Sequence, residues 1–180
     1  VSLLARESID KFEIPAGREI RNGEFAENIT TRGMLLYEAS PLDRFFCGEV
    51  ELEVTQIGRK CHGDSCAIFR EVGNCVMPKE GIFCRVRAGG DLRAGDKLEY
   101  IPKVYSAVVI TLSDRAYAGE YEDRSGPQLS GHLREFLDQQ KWLHDIENVV
   151  IPDDEQALSA LLLDAVEQGV DFVFTTGGTG

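Results

Sequence analysis

The 180-residue chain has no run approaching the roughly 18 consecutive apolar residues that a membrane helix requires, so no membrane association is expected. Its first twelve residues lack the basic flank and apolar middle of a secretory signal, and a cytoplasmic protein is expected. Basic residues are scarce: 19 Lys and Arg stand against 31 Asp and Glu, a net charge of −12. A nucleic-acid partner is therefore not expected, because displacing counterions from phosphate needs a basic stripe. Five cysteines is an odd number, and without a secretory signal they read as thiols rather than as a disulfide framework. Internal repeats and low-complexity tracts are absent. So are the dinucleotide fingerprint G-x-G-x-x-G and the Walker loop, which counts against NAD and P-loop chemistry. There is no initiator Met, and Thr-Thr-Gly-Gly-Thr-Gly at the other end follows directly on an apolar run, so a gene product extending beyond both ends is expected.

What the chain does contain divides in two. Residues 1–103 carry 15 basic and 17 acidic groups, whereas residues 104–180 carry 4 and 14, giving −2 and −10. Ser2 to Phe12 places Leu3, Leu4, Ile9 and Phe12 as in a short amphipathic helix. Glu49 to Ile57 then alternates, with Val50, Leu52 and Val54 on one face and Glu49, Glu51 and Glu53 on the other. Ile82, Cys84 and Val86 alternate against Phe83, Arg85 and Arg87 before glycine turns at Gly89-Gly90 and Gly95-Asp96, and Leu98 and Tyr100 follow. This is the grammar of an antiparallel β-domain. After Pro102 it changes. Tyr105 to Leu112 is a nearly continuous apolar run, as in a strand covered on both faces. Leu129, Leu133, Phe136 and Leu137 mark a helix opened by Gly126 and Pro127, with Ser125 as N-cap. Strands are expected over 145–151 and 170–174, with a helix over 155–168 presenting Leu158, Leu161, Leu162 and Ala165 and closed by Gly169. Strand, helix, strand, helix, strand implies right-handed crossovers and a parallel sheet. The fold expected is α/β: a β-rich barrel over 1–103, then the first part of a doubly wound parallel domain over 104–180.

In such a sheet, ligands sit beyond the carboxyl ends of the strands. There the sequence has Ser113-Asp114-Arg115, Pro152-Asp153-Asp154 and Thr175 to Gly180. Glycines permit close backbone approach to an anion and threonines add donors, which suits phosphate. Carboxylates beside it would repel that ligand without a hard cation, and Mg²⁺ is the expected bridge, with Asp153 as its ligand. Each piece alone has a plainer reading, the glycines as a turn and the aspartates as helix caps. Their convergence favours a site. The blocks VVITLSDRAYAGEYEDRSGPQL, VIPDDEQAL and DFVFTTGGTG resemble the molybdopterin adenylyltransferase family of the MogA/MoaB type across residues 104–180. The resemblance implies transfer of AMP from Mg-ATP to molybdopterin with release of pyrophosphate. It implies Asp153 or its neighbour Asp154 as a catalytic acid, and Ser113, Asp114, Thr176, Gly177, Gly178, Thr179 and Gly180 as binding residues. The family's second essential Asp lies beyond this stretch, so an inactive fragment is expected. The resemblance also implies a homo-oligomer, trimer or hexamer, and exchange with the molybdenum insertion machinery. The expected ligands are molybdopterin, ATP and Mg²⁺; pyridoxal phosphate is not expected. The alternative is a non-catalytic molybdopterin-binding module.

In the first half, Cys61 lies in the basic setting Arg59-Lys60-Cys61-His62, which raises the thiolate fraction. A zinc site would combine Cys61, His62, Cys66 and Cys75, but gaps of four and eight residues between the cysteines are unlike paired Cys-x-x-Cys knuckles. Cys47 and Cys84 are expected in the core. The blocks VSLLARESI, GEFAENITTRG, VTQIGRKCHGDSC, VGNCVMPKEGIFCRV and GDLRAGDKL resemble MOSC domains. That implies a β-rich carrier of molybdenum cofactor or sulfur, with Cys61 holding a persulfide or meeting the metal. The family's first strands normally precede the VSLLA block. Bacterial proteins fusing the two domains in this order are similar to the whole chain. Cys61 is expected to be the fastest cysteine to react with an alkylating reagent near neutral pH, ahead of Cys47 and Cys84; equal labelling of all five in partly modified protein, read by mass spectrometry, would remove the case for a special sulfur.

Overall fold

The computed structural model describes residues 1–60, 69–70, 73 and 75–178. The chain forms two compact units, Val1–Lys103 and Val104–Gly180. Among the described residues, no helix is long and apolar enough to cross a membrane.

The first unit is built on a curled six-stranded sheet in the order β2-β1-β5-β4-β3-β6. Its strands are β1 (Ser2–Ala5), β2 (Ile29–Thr31), β3 (Arg44–Cys47), β4 (Val50–Ile57), β5 (Ile82–Ala88) and β6 (Glu99–Ile101), with short helices α1 (Arg6–Asp10), α2 (Glu13–Ala16) and α3 (Met77–Glu80). The expectation of a helix from Ser2 is corrected. Residues 2–5 are a strand, parallel to β2 and antiparallel to β5, and helix begins only at Arg6. The reason lies in adjacent leucines: Leu3 packs with Phe45, Leu52, Val54 and Ile82, whereas Leu4 packs with Ile9, Ile20, Phe25 and Val76. A strand sends consecutive side chains to opposite faces, so one four-residue run serves two cores.

Alternation in β4 holds for the apolar face, where Val50, Leu52 and Val54 are buried. Glu53, on the polar face, is buried as well, at 3% exposure. Its cross-strand partners are Arg44 and Arg85, whose guanidinium groups reach its carboxylate, Arg44 Nη2 at 3.7 Å and Arg85 Nε at 2.7 Å. A buried carboxylate is tolerable only with such charge-assisted partners. Register shifts at Glu51/Leu52 and Val54/Gln56 increase the local twist and curl the sheet. Between them, opposite Leu52, Val86 is half exposed rather than on the buried face. Cys84 is buried as expected, and burial pushes its thiol up to about 11, leaving it protonated at neutral pH. Cys47, however, is only partly buried, because it ends β3 beside the Gly48-Glu49 hairpin turn.

The second unit is a parallel sheet in the order β8-β7-β9, built from β7 (Val104–Leu112), β8 (Leu143–Ile151) and β9 (Phe172–Gly177). Helices α4 (Asp114–Tyr117) and α5 (Ser125–Gln139) link β7 to β8, and α6 (Glu155–Glu167) links β8 to β9. Because β7 is central, its buried set includes Tyr105, Ala107, Val109, Ile110 and Thr111. Three boundaries differ from expectation. Ser125 is the first residue of α5 rather than its cap; the Asp123 carboxylate does the capping, accepting from the N–H groups of Ser125 at 3.0 Å and Gly126 at 3.3 Å. β8 starts two residues early, at Leu143. β9 starts at Phe172, since Asp171 instead accepts from Ser106 N–H at 2.9 Å, and it continues through Thr175 to Gly177, residues expected to be loop. Those residues pair with Ile110, Thr111 and Leu112, and this ladder overrides their turn composition. Gly169 follows α6 at φ +70°, as a helix-ending glycine should. At the amino end of the sheet, Trp142, Tyr105 and Phe172 form a stacked row, with centroid separations of 4.7 and 6.0 Å.

Leu52→Ala should cost about 2–5 kcal/mol of the first unit's stability in urea unfolding, whereas Val86→Ala on the adjoining strand should stay within about 0.5 kcal/mol. Similar losses at both positions would contradict this assignment of the core.

Candidate active site

The order β8-β7-β9 contains a reversal. The chain leaves β7 for a neighbour on one side, then returns across β7 to reach β9 on the other. Right-handed crossovers in opposite directions send the two connections to opposite faces of the sheet, which opens a crevice at the carboxyl ends of β7 and β9. Most of the site residues expected from sequence gather there.

Ser113 and Asp114 follow β7 directly. Ser113 caps α4, its Oγ accepting from Ala116 N–H at 3.3 Å, and the same Oγ lies 3.0 Å from the Tyr121 hydroxyl. Asp114 Oδ1 accepts from the backbone N–H of Asp153 at 2.9 Å, tying the end of β7 to the segment after β8. Ser113 N–H in turn donates to Ile151 O at 2.9 Å. The paired aspartates separate in role. Asp154 caps α6, accepting from Ala157 N–H at 2.7 Å. Asp153 is exposed, and its carboxylate has no hydrogen-bond partner among the described residues.

Thr176 and Gly177 close the ladder opposite Thr111 and Leu112. Gly177 has φ +88°, and a Cβ there would lie 2.2 Å from Leu112 O, so the position admits only glycine. Gly178, at φ +68°, donates its N–H to Leu112 O at 3.2 Å. That N–H is therefore engaged rather than free for an anion. What Gly178 offers is its missing side chain: a Cβ would sit 3.8 Å from Asp153 Oδ1, so the Asp153 carboxylate and this glycine border the same space. Thr179, Gly180 and Cys61 lie outside the described residues, as do His62 and Cys66. Among the described residues, no cluster of three or more His, Cys, Asp or Glu is arranged to hold a metal.

Sequence reasoning overlooked the wall formed by residues 118–124. Asp123 Oδ2 accepts from Thr111 Oγ1 at 2.8 Å, so this segment is strapped onto β7 at two points, Thr111 and Ser113. Gly126 fits beneath it, where a Cβ would come within 2.6 Å of both Asp123 Oδ2 and Thr111 Oγ1. A polar Thr within the apolar run Ala107–Leu112 was the available signal, since a buried hydroxyl requires a partner. Burial alone pushes the Asp123 carboxyl up, but hydrogen bonds from Thr111, Gly126 and Ser125 outweigh it and hold the group below the usual carboxylate range.

Comparison with known proteins agrees with this division of the chain. Residues 1–99, more than half of the chain, match the family described as "MOSC domain", and the protein belongs to that family. Residues 108–180 match the family described as "Probable molybdopterin binding domain", so a MOSC domain is followed by a domain of the molybdenum-cofactor biosynthesis type. The chain is 37% identical over 79 residues to a molybdopterin adenylyltransferase of Pyrococcus furiosus, covering 44% of this chain and 43% of that protein. It is 38% identical over 73 residues to the molybdopterin adenylyltransferase of Haemophilus influenzae, covering 40% and 36%. A molybdenum cofactor biosynthesis bifunctional protein of Synechococcus elongatus is 35% identical over 79 residues, covering 41% and 22%. The chain thus spans less than half the length of these relatives.

A carboxyl held below its unfolded value stabilises the fold above the ordinary carboxylate pKa, about 3.9, and that contribution is lost as pH falls through the lower folded value. Asp123→Asn should therefore lower the thermal midpoint of the second unit at neutral pH and flatten its decline below about pH 4. A variant that declines as steeply as the parent would show that other carboxylates control the acid limb.

Proposed function

We propose that the second domain transfers the adenylyl group of Mg-ATP to molybdopterin, and that the MOSC domain binds the cofactor or its sulfur. The observation that carries this reading is the pairing of an exposed carboxylate, unpartnered among the described residues, with a side-chain-free glycine at the switch point of a parallel sheet. In the transfer, an oxygen of molybdopterin attacks the α-phosphorus of ATP; the new O–P bond forms as the bond to the β-phosphate oxygen breaks, and pyrophosphate leaves. Such a reaction asks the protein chiefly for positioning and charge compensation. Gly177 and Gly178 keep side chains out of the path of a phosphate, and the Asp114 bridge to Asp153 N–H holds Asp153 at the crevice.

Mg²⁺, which arrives with the nucleotide, needs only one or two protein carboxylates beside phosphate oxygens and waters, so Asp153 suits it without a preformed cluster. When bound it neutralises charge developing on the phosphates. The second domain's −10 charge makes such a cation necessary for a polyanionic substrate. With this reading go a cytoplasmic setting, a homo-oligomeric state, delivery to the molybdenum insertion machinery and no nucleic-acid partner. Thr176, Thr179 and Gly180 complete the binding loop, and Cys61 is the sulfur or metal residue of the MOSC half.

In the full-length protein, Asp153→Asn should reduce the rate of molybdopterin-dependent pyrophosphate release by about 100-fold or more. Asp154→Asn should leave it near the parent value, because Asn caps helices as well as Asp does. The opposite pattern would move the catalytic role to Asp154. Unchanged turnover in both would remove these aspartates from the catalytic machinery, and no turnover in the parent would leave a molybdopterin-binding module in place of an enzyme.

A further inference from the structure

We propose that Tyr121 is a positioning residue whose ring forms an aromatic shelf at the crevice, stacking on the planar fused heterocycle of a bound substrate. The inference rests on the adenylyl-transfer reading of the site and specifies how its ligands are recognised. Tyr121 is 46% exposed, although an aromatic ring would ordinarily gain by burial. It is nevertheless held at both ends. Its hydroxyl is 3.0 Å from Ser113 Oγ, at the carboxyl end of the central strand, and two residues later Asp123 is bonded to Thr111. The Arg115 guanidinium lies 5.1 Å from the ring centroid and further restricts it. An immobilised, half-exposed ring anchored at Ser113, with Arg115 over one face, is arranged to receive a flat ring on the other at little entropic cost.

Tyr117 provides the contrast. It is more exposed, at 63%, and its hydroxyl, unlike that of Tyr121, makes no bond to the strand end among the described residues. Both substrates of the proposed reaction carry a fused heterocycle, a purine in ATP and a pterin in molybdopterin, and the shared chemistry is stacking.

The test titrates the protein separately with Mg-ATP and with neopterin phosphate, following pterin fluorescence in the second arm. Tyr121→Ala is expected to weaken one of the two ligands about 10-fold. Tyr121→Phe, which keeps the ring, should restore most of that affinity, and Tyr117→Ala should leave both ligands within about twofold. Loss confined to neopterin phosphate identifies the pterin as the stacked ring; loss confined to Mg-ATP identifies the purine. The proposal is overturned if the parent binds neither probe or if Tyr121→Ala binds both as the parent does. It is overturned equally if Tyr121→Phe is as weak as Tyr121→Ala, or if Tyr121→Ala weakens both ligands alike with a lowered thermal midpoint. The full-length parent separates this idea from the reading beneath it: Tyr121-dependent binding of a probe by a full-length protein that shows no adenylyl transfer would remove that reading and leave the shelf standing.

Discussion

The second domain hangs on the last residues of one strand. β7 is hydrogen-bonded on both sides, and its end holds each wall of the crevice by a different group. Thr111 holds Asp123, Leu112 O receives Gly178 N–H, Ser113 Oγ meets Tyr121, and Asp114 reaches the backbone of Asp153. A small displacement of this strand end would move all four together. Chemistry that depends on sub-ångström placement needs such support from a rigid element rather than from loops.

The first domain solves a different problem. A sheet of six short strands with helices against it must bury apolar surface on two sides, and β1 does so with Leu3 in one cluster and Leu4 in the other. Among the described residues, the carboxylates of Glu27, Asp43 and Glu53 are buried, and each has built-in partners. Glu53 takes arginines from both neighbouring strands. Asp43, also buried, accepts from Ser40 N–H, Tyr100 OH and Lys103 N–H at 2.6 to 2.8 Å, and burial together with that contact drives the Tyr100 hydroxyl pKa upward. Both draw partners from elsewhere in the chain, Arg44 and Arg85 for Glu53, Tyr100 and Lys103 for Asp43.

That distance explains what could be read from sequence. Periodicity and strand order are local, so the parallel sheet, its two long helices and the apolar face of β4 were legible, as was the gathering of Asp114, Asp153 and the glycines at strand ends. Pairing is not local. Ser2–Ala5 was mistaken for helix because its partners lie at Ile29–Thr31 and Ile82–Phe83. Thr175 to Gly177 was mistaken for loop because glycine and threonine signalled a turn before the ladder with β7 could be seen. The difference between Asp153 and Asp154 depends on which side chain turns back to cap α6, and adjacent identical letters cannot express it. Asp123 and Tyr121 were passed over because their partners, Thr111 and Ser113, sit in a separate element.

The contact at Gly177 also bears on how this protein can evolve. The atom that would meet a new side chain there is a backbone oxygen, Leu112 O, which is present whatever residue occupies position 112. No second substitution at that neighbour can therefore make room for a first at Gly177. A cap such as Asp154 can be exchanged for another capping residue, and core volumes can be traded among neighbours, but this glycine has no compensating partner. Lineages carrying the domain should drift around it, with variation accumulating in the exposed faces while the geometry of the β7–β9 junction is inherited unchanged.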